Sequence, residues 1–165
     1  MAYEVIDNFL PEEDHAVIES VMLGVNFPWY FNSEIVSDAN ENKLNYQLVH
    51  SFHRDYGWRS EYSDILQPIV DKIAPTAILR VKANLNPSTS EHYYGGFHYD
   101  YPEDLIKCKT AVYYVNTNNG FTEFASGEKV ESVANRWVCF DSDTLHSGVT
   151  CTDQKVRCLI NINYI

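Results

Sequence analysis

Thr110-Ala111-Val112-Tyr113-Tyr114-Val115-Asn116-Thr117-Asn118-Asn119-Gly120-Phe121-Thr122-Glu123-Phe124 is the stretch that decides the architecture. Its first half is dominated by β-branched and aromatic residues, which fit a pleated, half-buried surface. Asn116 to Gly120 is a dense turn signal, because Asn and Gly tolerate the backbone angles that a reversal needs. β-Formers resume at Phe121. The same rhythm continues on both sides. Ala77 to Leu85 reads as a strand broken by Asn86-Pro87-Ser88-Thr89-Ser90, and Phe97 to Tyr101 is extended up to Pro102. Glu128 to Val133, Arg136 to Phe140 and Val156 to Tyr164 are further short strands. Regular short strands with turn punctuation predict a sandwich, jelly roll or barrel.

The first 75 residues have a different texture. Tyr3 to Leu10 reads as a short strand leading into a helix, whose first turn holds Pro11, Glu12, Glu13 and Asp14, types favoured there. Ala16, Val17, Val21 and Leu23 then follow helical spacing as far as Gly24. Residues 26–34 are dense in aromatics but broken by Pro28, and 35–47 are polar and Asn-rich, a loop. Tyr46 to Phe52 resembles a strand. Residues 60–73 form a second helix, with Pro68 starting a new turn. The layout expected is one domain over 1–165, with helical support and lid segments in 1–75 and a β-core that carries the chemistry in 76–165.

At 165 residues the chain is long enough to bury roughly two thirds of its unfolded surface. An apolar share of 45% predicts an ordered globular protein. Lys and Arg total 12 against 23 Asp and Glu, a formal charge of −11. That field repels a phosphate backbone, so no nucleic-acid partner is expected. No apolar run approaches the roughly 18 residues needed to span a bilayer, so no membrane partner is expected either. Cys108, Cys139, Cys151 and Cys158 show no CxxC pairing, which predicts reduced thiols.

The chemistry concentrates in Gly96-Phe97-His98-Tyr99-Asp100, His146 and Arg157. A His and an Asp two residues apart on a strand project from one face. A second His from a distant strand can complete a three-cornered metal site with open coordination positions, the ligand set of an oxygen-activating non-haem iron(II) enzyme. Arg157 is placed to hold a dicarboxylate co-substrate beside the metal. A His-x-Asp tripeptide alone is common by chance. Here it follows a flexible Gly95-Gly96, His146 lies towards the other end of the β-rich region, and Arg157 follows in the last long strand.

Over about residues 77–165 the sequence resembles the iron(II)- and 2-oxoglutarate-dependent oxygenases, particularly their prolyl-hydroxylase-like branch. The marks are His98-Tyr99-Asp100, Tyr113-Tyr114-Val115-Asn116, Asn119 to Phe124, Asn135 to Phe140, His146-Ser147-Gly148-Val149 and Arg157. The resemblance implies a mainly β fold with N-terminal helices around a double-stranded β-helix, a cupin-like jelly roll. It implies His98, Asp100 and His146 as Fe(II) ligands, and Arg157 on the far carboxylate of 2-oxoglutarate, with Tyr114 on the same carboxylate. Asn84, on the strand before His98, is a candidate to reach the co-substrate near the metal; a plain inward polar residue is the equal alternative. Two departures stand out. Asn119 replaces the first glycine of the family's GGxTxF segment, and Asn84-Leu85-Asn86 stands where a tyrosine is often found.

The implied reaction is hydroxylation of a C–H bond in a peptide, amino acid or other small molecule. It consumes O2 and 2-oxoglutarate and releases succinate and CO2, with ascorbate as a reductant. A closing lid is expected, and Phe27-Pro28-Trp29-Tyr30-Phe31 or loop 86–96 with Tyr93 and Tyr94 could serve, with ordinary packing the default reading of each. The family likeness suits a cytoplasmic enzyme of bacterial or phage origin. Two competing readings are a non-catalytic jelly-roll binding module and a zinc- or manganese-dependent hydrolase or cupin-like isomerase. Arg80, Lys82 and Lys43 read as substrate contacts or solvated charges, the latter by default, and His15, His50, His53 and His92 as solvated or core groups.

Overall fold

A computed structural model describes residues 3–36, 42–100 and 107–165. The elements in chain order are β1 (Glu4–Ile6), α1 (Glu12–Met22), β2 (Tyr30–Asn32), β3 (Gln47–Arg54), β4 (Gly57–Trp58), a 3-10 turn (Ser63–Leu66), α2 (Gln67–Ile73) and β5 (Ile78–Pro87). They continue with β6 (Lys109–Tyr114), β7 (Phe121–Phe124), β8 (Lys129–Glu131), β9 (Arg136–Asp141), β10 (His146–Val149) and β11 (Val156–Tyr164). The expected end of the 97–101 extension, Tyr101 before Pro102, lies outside the described residues, as do 37–41 of the expected Asn-rich loop.

Two antiparallel sheets face each other. The major sheet runs β1-β9-β6-β11-β5-β3-β2, with β4 on β3, and the minor sheet runs β10-β7-β8. This is the jelly-roll arrangement. The Asn116–Gly120 turn does not close a hairpin: β6 belongs to the major sheet and β7 to the minor one, so the turn carries the chain from one layer to the other.

Alternation along the central strands divides the interior in two. Ala111 and Tyr113 of β6, Cys158, Ile160 and Ile162 of β11, and Val81 and Ala83 of β5 point to one face. There they pack with Ile18 and Met22 of α1, Phe27, Phe52, Leu66 and Ile69. Val112 and Tyr114 of β6 and Leu159 of β11 point the other way, against Phe124, Val130, Val138 and Phe140 between the sheets. The cavity described below lies on this second face.

Two expectations from the sequence need correcting. The N-terminal portion is not only helical support, because β1 pairs with β9 at one edge of the major sheet, and β3 pairs with β5, one strand in from the β2 edge. Helix α1 forms where expected, but its buried stripe is His15, Ile18 and Met22, while Val17 is exposed. A polar residue sits on the core face because the His15 ring shares a 2.7 Å hydrogen bond with the Tyr113 hydroxyl. Phe27 is packed against Phe52 and His50, and the Trp29 indole donates to the Met22 carbonyl, so the front of the 27–31 segment is core, its default reading. The four cysteines are unpaired, and among the described residues no helix is long and apolar enough to cross a membrane.

Candidate metal centre

His98 is not on a regular strand. It is held by a pair of backbone hydrogen bonds opposite His146, the first residue of β10, with His98 N–H to the His146 carbonyl at 2.9 Å and the reverse bond at 3.1 Å. Four residues earlier along the same segment, Tyr94 is bridged to Val149. Three residues separate Tyr94 from His98, and two separate His146 from Val149, so the 94–98 side carries one extra residue. The extra residue is accommodated at Gly95-Gly96, where Gly96 has a φ of +100° that a side chain would strain. A bulge of this kind switches which face the following side chain takes. Here it turns the His98 ring towards His146, with centroids 4.6 Å apart.

Each imidazole has its Nδ1 beside a backbone carbonyl, that of Gly96 for His98 (3.1 Å) and that of Thr144 for His146 (2.9 Å). Donation from Nδ1 leaves Nε2 as the acceptor on both rings, the form that binds metal. Asp100 completes the group. One ligand atom from each of the three residues lies within 4.8 Å of the others, a spacing a single ion can bridge. Burial pulls the His146 pKa below that of a free imidazole, so its neutral, ligating form is favoured. Burial would raise the Asp100 pKa, but Arg80, His146, Asn163 and His98 outweigh it and hold the carboxyl below the usual carboxylate value.

The carboxylate is fixed by neighbours the sequence reading did not single out. Arg80 pairs with Asp100 Oδ1 at 3.1 Å, and Asn163 donates to Oδ2 at 3.2 Å. Arg80 also donates to Asn163 Oδ1 at 2.9 Å, closing a triangle behind the ligand. Arg80, expected as a solvated charge, is therefore a positioning residue. Arg80→Met is expected to weaken Fe(II) binding by about 10- to 100-fold, the usual cost of losing a partner to a ligand. An anaerobic metal titration checks this, and unchanged affinity would remove Arg80 from the site.

Beside His98, Asp100 and His146 is a pocket that opens to solvent, with Arg157, Thr122, Gly148 and Asn86 among its lining. Arg157 is 2% exposed. Its Nε donates to Ser132 Oγ (2.9 Å) and one terminal nitrogen to Thr122 Oγ1 (3.2 Å), while its guanidinium carbon sits 5.6 Å from the Tyr114 ring centre. Among the described residues no carboxylate pairs with it. Burying a cation without a counter-charge is costly, and a group so placed in a pocket is suited to receive an anion. Its close approach requires Gly120, because a Cβ there would sit 2.6 Å from Arg157 Cδ. Gly120→Ala is expected to cost about 1–3 kcal/mol of stability through overpacking. It should also weaken binding of a dicarboxylate, as read by denaturant melts and by titration.

Tyr114 stands one layer behind. It is fully buried, does not line the pocket, and its hydroxyl donates to Thr122 Oγ1 at 2.7 Å. Thr122 is thus the hydroxyl shared by Tyr114 and Arg157. Asn84 does line the pocket, and its buried amide oxygen has no donor. The residues missed were readable in outline. Arg157, Leu159, Asn161 and Asn163 of β11 face the site at every second position, as do Arg80, Lys82, Asn84 and Asn86 of β5, and the two strands are antiparallel neighbours. Extending the period of two from Arg157 along β11 reaches Asn163.

The fold matches solved structures. A prolyl hydroxylase from Trichoplax adhaerens, in complex with a peptide of the oxygen degradation domain of hypoxia inducible factor, superposes with a TM-score of 0.70 at 14% identity. The match covers 99% of this chain and 83% of that one. An oxidoreductase of the 2OG-Fe(II) oxygenase family from Burkholderia pseudomallei gives 0.73 at 11% identity, covering 98% and 84%. The viral collagen prolyl hydroxylase of Paramecium bursaria Chlorella virus-1, in complex with 2OG, gives 0.64 at 16%, covering 100% and 97%. No protein-family model and no curated protein sequence matches the chain. The chain therefore has the double-stranded β-helix fold of 2-oxoglutarate/iron(II) oxygenases, prolyl hydroxylases among them.

Proposed function

We propose that this protein is an iron(II)- and 2-oxoglutarate-dependent dioxygenase that hydroxylates a C–H bond of a peptide, an amino acid or another small molecule. The observation that carries this reading is a buried guanidinium with no carboxylate partner among the described residues, sharing one pocket with a two-His, one-carboxylate cluster. Either feature alone would suit proteins of several kinds; together they suit a ligand with a carboxylate at one end and metal-binding oxygens at the other.

His98, Asp100 and His146 would hold Fe(II) through two neutral imidazoles and one carboxylate. Ligands on one side of the ion leave positions for a 2-oxo acid and dioxygen. Bound there, the metal supplies the oxidising chemistry by which 2-oxoglutarate and O2 become succinate and CO2 while substrate C–H becomes C–OH. The chain's own contribution is positional. Arg157 and Thr122 would bind and orient the far carboxylate, Ser132 would hold the guanidinium in place from behind, and Arg80 with Asn163 would keep Asp100 charged and aimed. The zinc or manganese hydrolase and the plain binding module leave Arg157 without a role.

Purified protein, Fe(II), ascorbate, 2-oxoglutarate and air should release succinate with matching O2 uptake, including slow turnover without a prime substrate. An anaerobic titration with Fe(II) should show 2-oxoglutarate binding. If 2-oxoglutarate fails to bind metal-loaded protein, the proposal is wrong.

A further inference from the structure

Arg157 is not the only cation in the pocket that pairs with no carboxylate among the described residues. Four residues from Asn86 along β5, roughly 13 Å in an extended strand, Lys82 lines the same pocket, on the wall formed by the major sheet. It is half-buried, and among the described residues its ammonium makes no hydrogen bond or ion pair. Its partner across the strand pair is Asn161. The amide oxygens of Asn161 and of Asn84, two residues along from Lys82, are both buried without a donor. The next inward row, Arg80 and Asn163, is occupied in holding Asp100.

These unmet demands have opposite character. An ammonium needs an acceptor, best a charged one. Two buried carbonyl oxygens need donors, and leaving them unmade costs free energy. One small molecule that meets both carries a carboxylate with an N–H group beside it. Resting on the dioxygenase reading above, we propose that Lys82, Asn84 and Asn161 form the prime-substrate anchor, and that the substrate is a free α-amino acid held by its carboxylate and amino groups. The far carboxylate of 2-oxoglutarate is left to Arg157. Local charge agrees: in a chain of net charge −11, with 12 Lys and Arg in all, Lys82 and Arg157 line one cavity, and Arg80 pairs with Asp100 of its lining. Burial, with Arg80 nearby, also lowers the Lys82 pKa, and a bound carboxylate would oppose that shift.

The test loads the protein anaerobically with Mn(II) and 2-oxoglutarate and adds the common L-amino acids one at a time, each beside its carboxamide. Broadening of ligand proton signals by the bound Mn(II) reports residence next to the metal, without turnover. At least one free acid should be broadened while its carboxamide is not. Lys82→Met should weaken that acid by tenfold or more, Lys82→Arg should recover part of the loss, and 2-oxoglutarate affinity should change less than about threefold. The proposal is overturned if no acid is distinguished from its amide, or if Lys82→Met binds the acid as wild type does. It is overturned equally if Lys82→Met weakens 2-oxoglutarate itself tenfold, which would make Lys82 a co-substrate residue. Wild-type protein that binds neither Mn(II) nor 2-oxoglutarate overturns the dioxygenase reading along with this one, so the two failures are told apart.

Discussion

Asp100→Ala is expected to abolish iron-dependent succinate formation and to weaken Fe(II) binding by more than about a hundredfold. Losing a mere neighbour of a ligand costs 10- to 100-fold, and losing the only anionic ligand costs more. The substitution removes the one negative charge that faces two imidazoles. It also frees Arg80, whose pairing with Asp100 at 3.1 Å balances a partly buried cation. The fold should survive, since Asp100 sits on a connecting segment and contributes nothing to either apolar cluster. A stability loss of about 1–3 kcal/mol is expected from the unpaired neighbour. Asp100→Asn is the sharper control, because it keeps the contact to Asn163 while removing the charge. Anaerobic metal titration and denaturant melts on the same preparations separate the two effects. Wild-type Fe(II) affinity in either variant would show that the three ligand atoms do not act on one ion.

The second large effect is at Arg157. Replacing it with Met should raise the dissociation constant of 2-oxoglutarate by roughly thirty- to a few thousandfold, the equivalent of about 2–5 kcal/mol for truncating one member of a buried charge pair. The ligand-free protein should behave in the opposite sense. Its guanidinium is 2% exposed and has no carboxylate among the described residues, so removing it relieves an uncompensated buried charge. Metal-loaded Arg157→Met is therefore expected to melt no lower than wild type without co-substrate, and to gain almost nothing when 2-oxoglutarate is added. Wild type should gain several degrees, by mass action. A large loss of stability in the ligand-free variant would mark Arg157 as a core strut instead of a binding group.

Much of this architecture is legible in the chain itself. Strands β5 to β9 and β11 lie close to where residue types and turns put them, because β-formers between Asn- and Gly-rich breaks leave the backbone little choice. That His98, Asp100, His146 and Arg157 would gather at one place was also expected, through spacing and resemblance, and the structure lines one pocket with all four. What was hidden depends on long-range partners. The buried stripe of α1 falls on His15 because Tyr113, nearly a hundred positions away, offers its hydroxyl. The aim of His98 depends on one extra residue at Gly95-Gly96 relative to β10, a register fact that local sequence does not contain. Arg80 and Lys82 look like surface charges until β5 is seen beside β11, with the site on their shared face.

The position of β11 has a consequence for how the molecule assembles. The last strand in sequence lies at the middle of the major sheet, between β6 and β5. Until it arrives, those two strands have no partner on their inner edges. Acquisition of structure must wait on contacts between residues far apart along the chain, which places refolding in the slow, millisecond-to-second regime of such topologies. A chain halted at that stage would present two raw strand edges to its neighbours, and crowded refolding would end in clumping. The same insertion delivers Arg157, so the protein gains its anion-holding cation and its finished sheet in a single event.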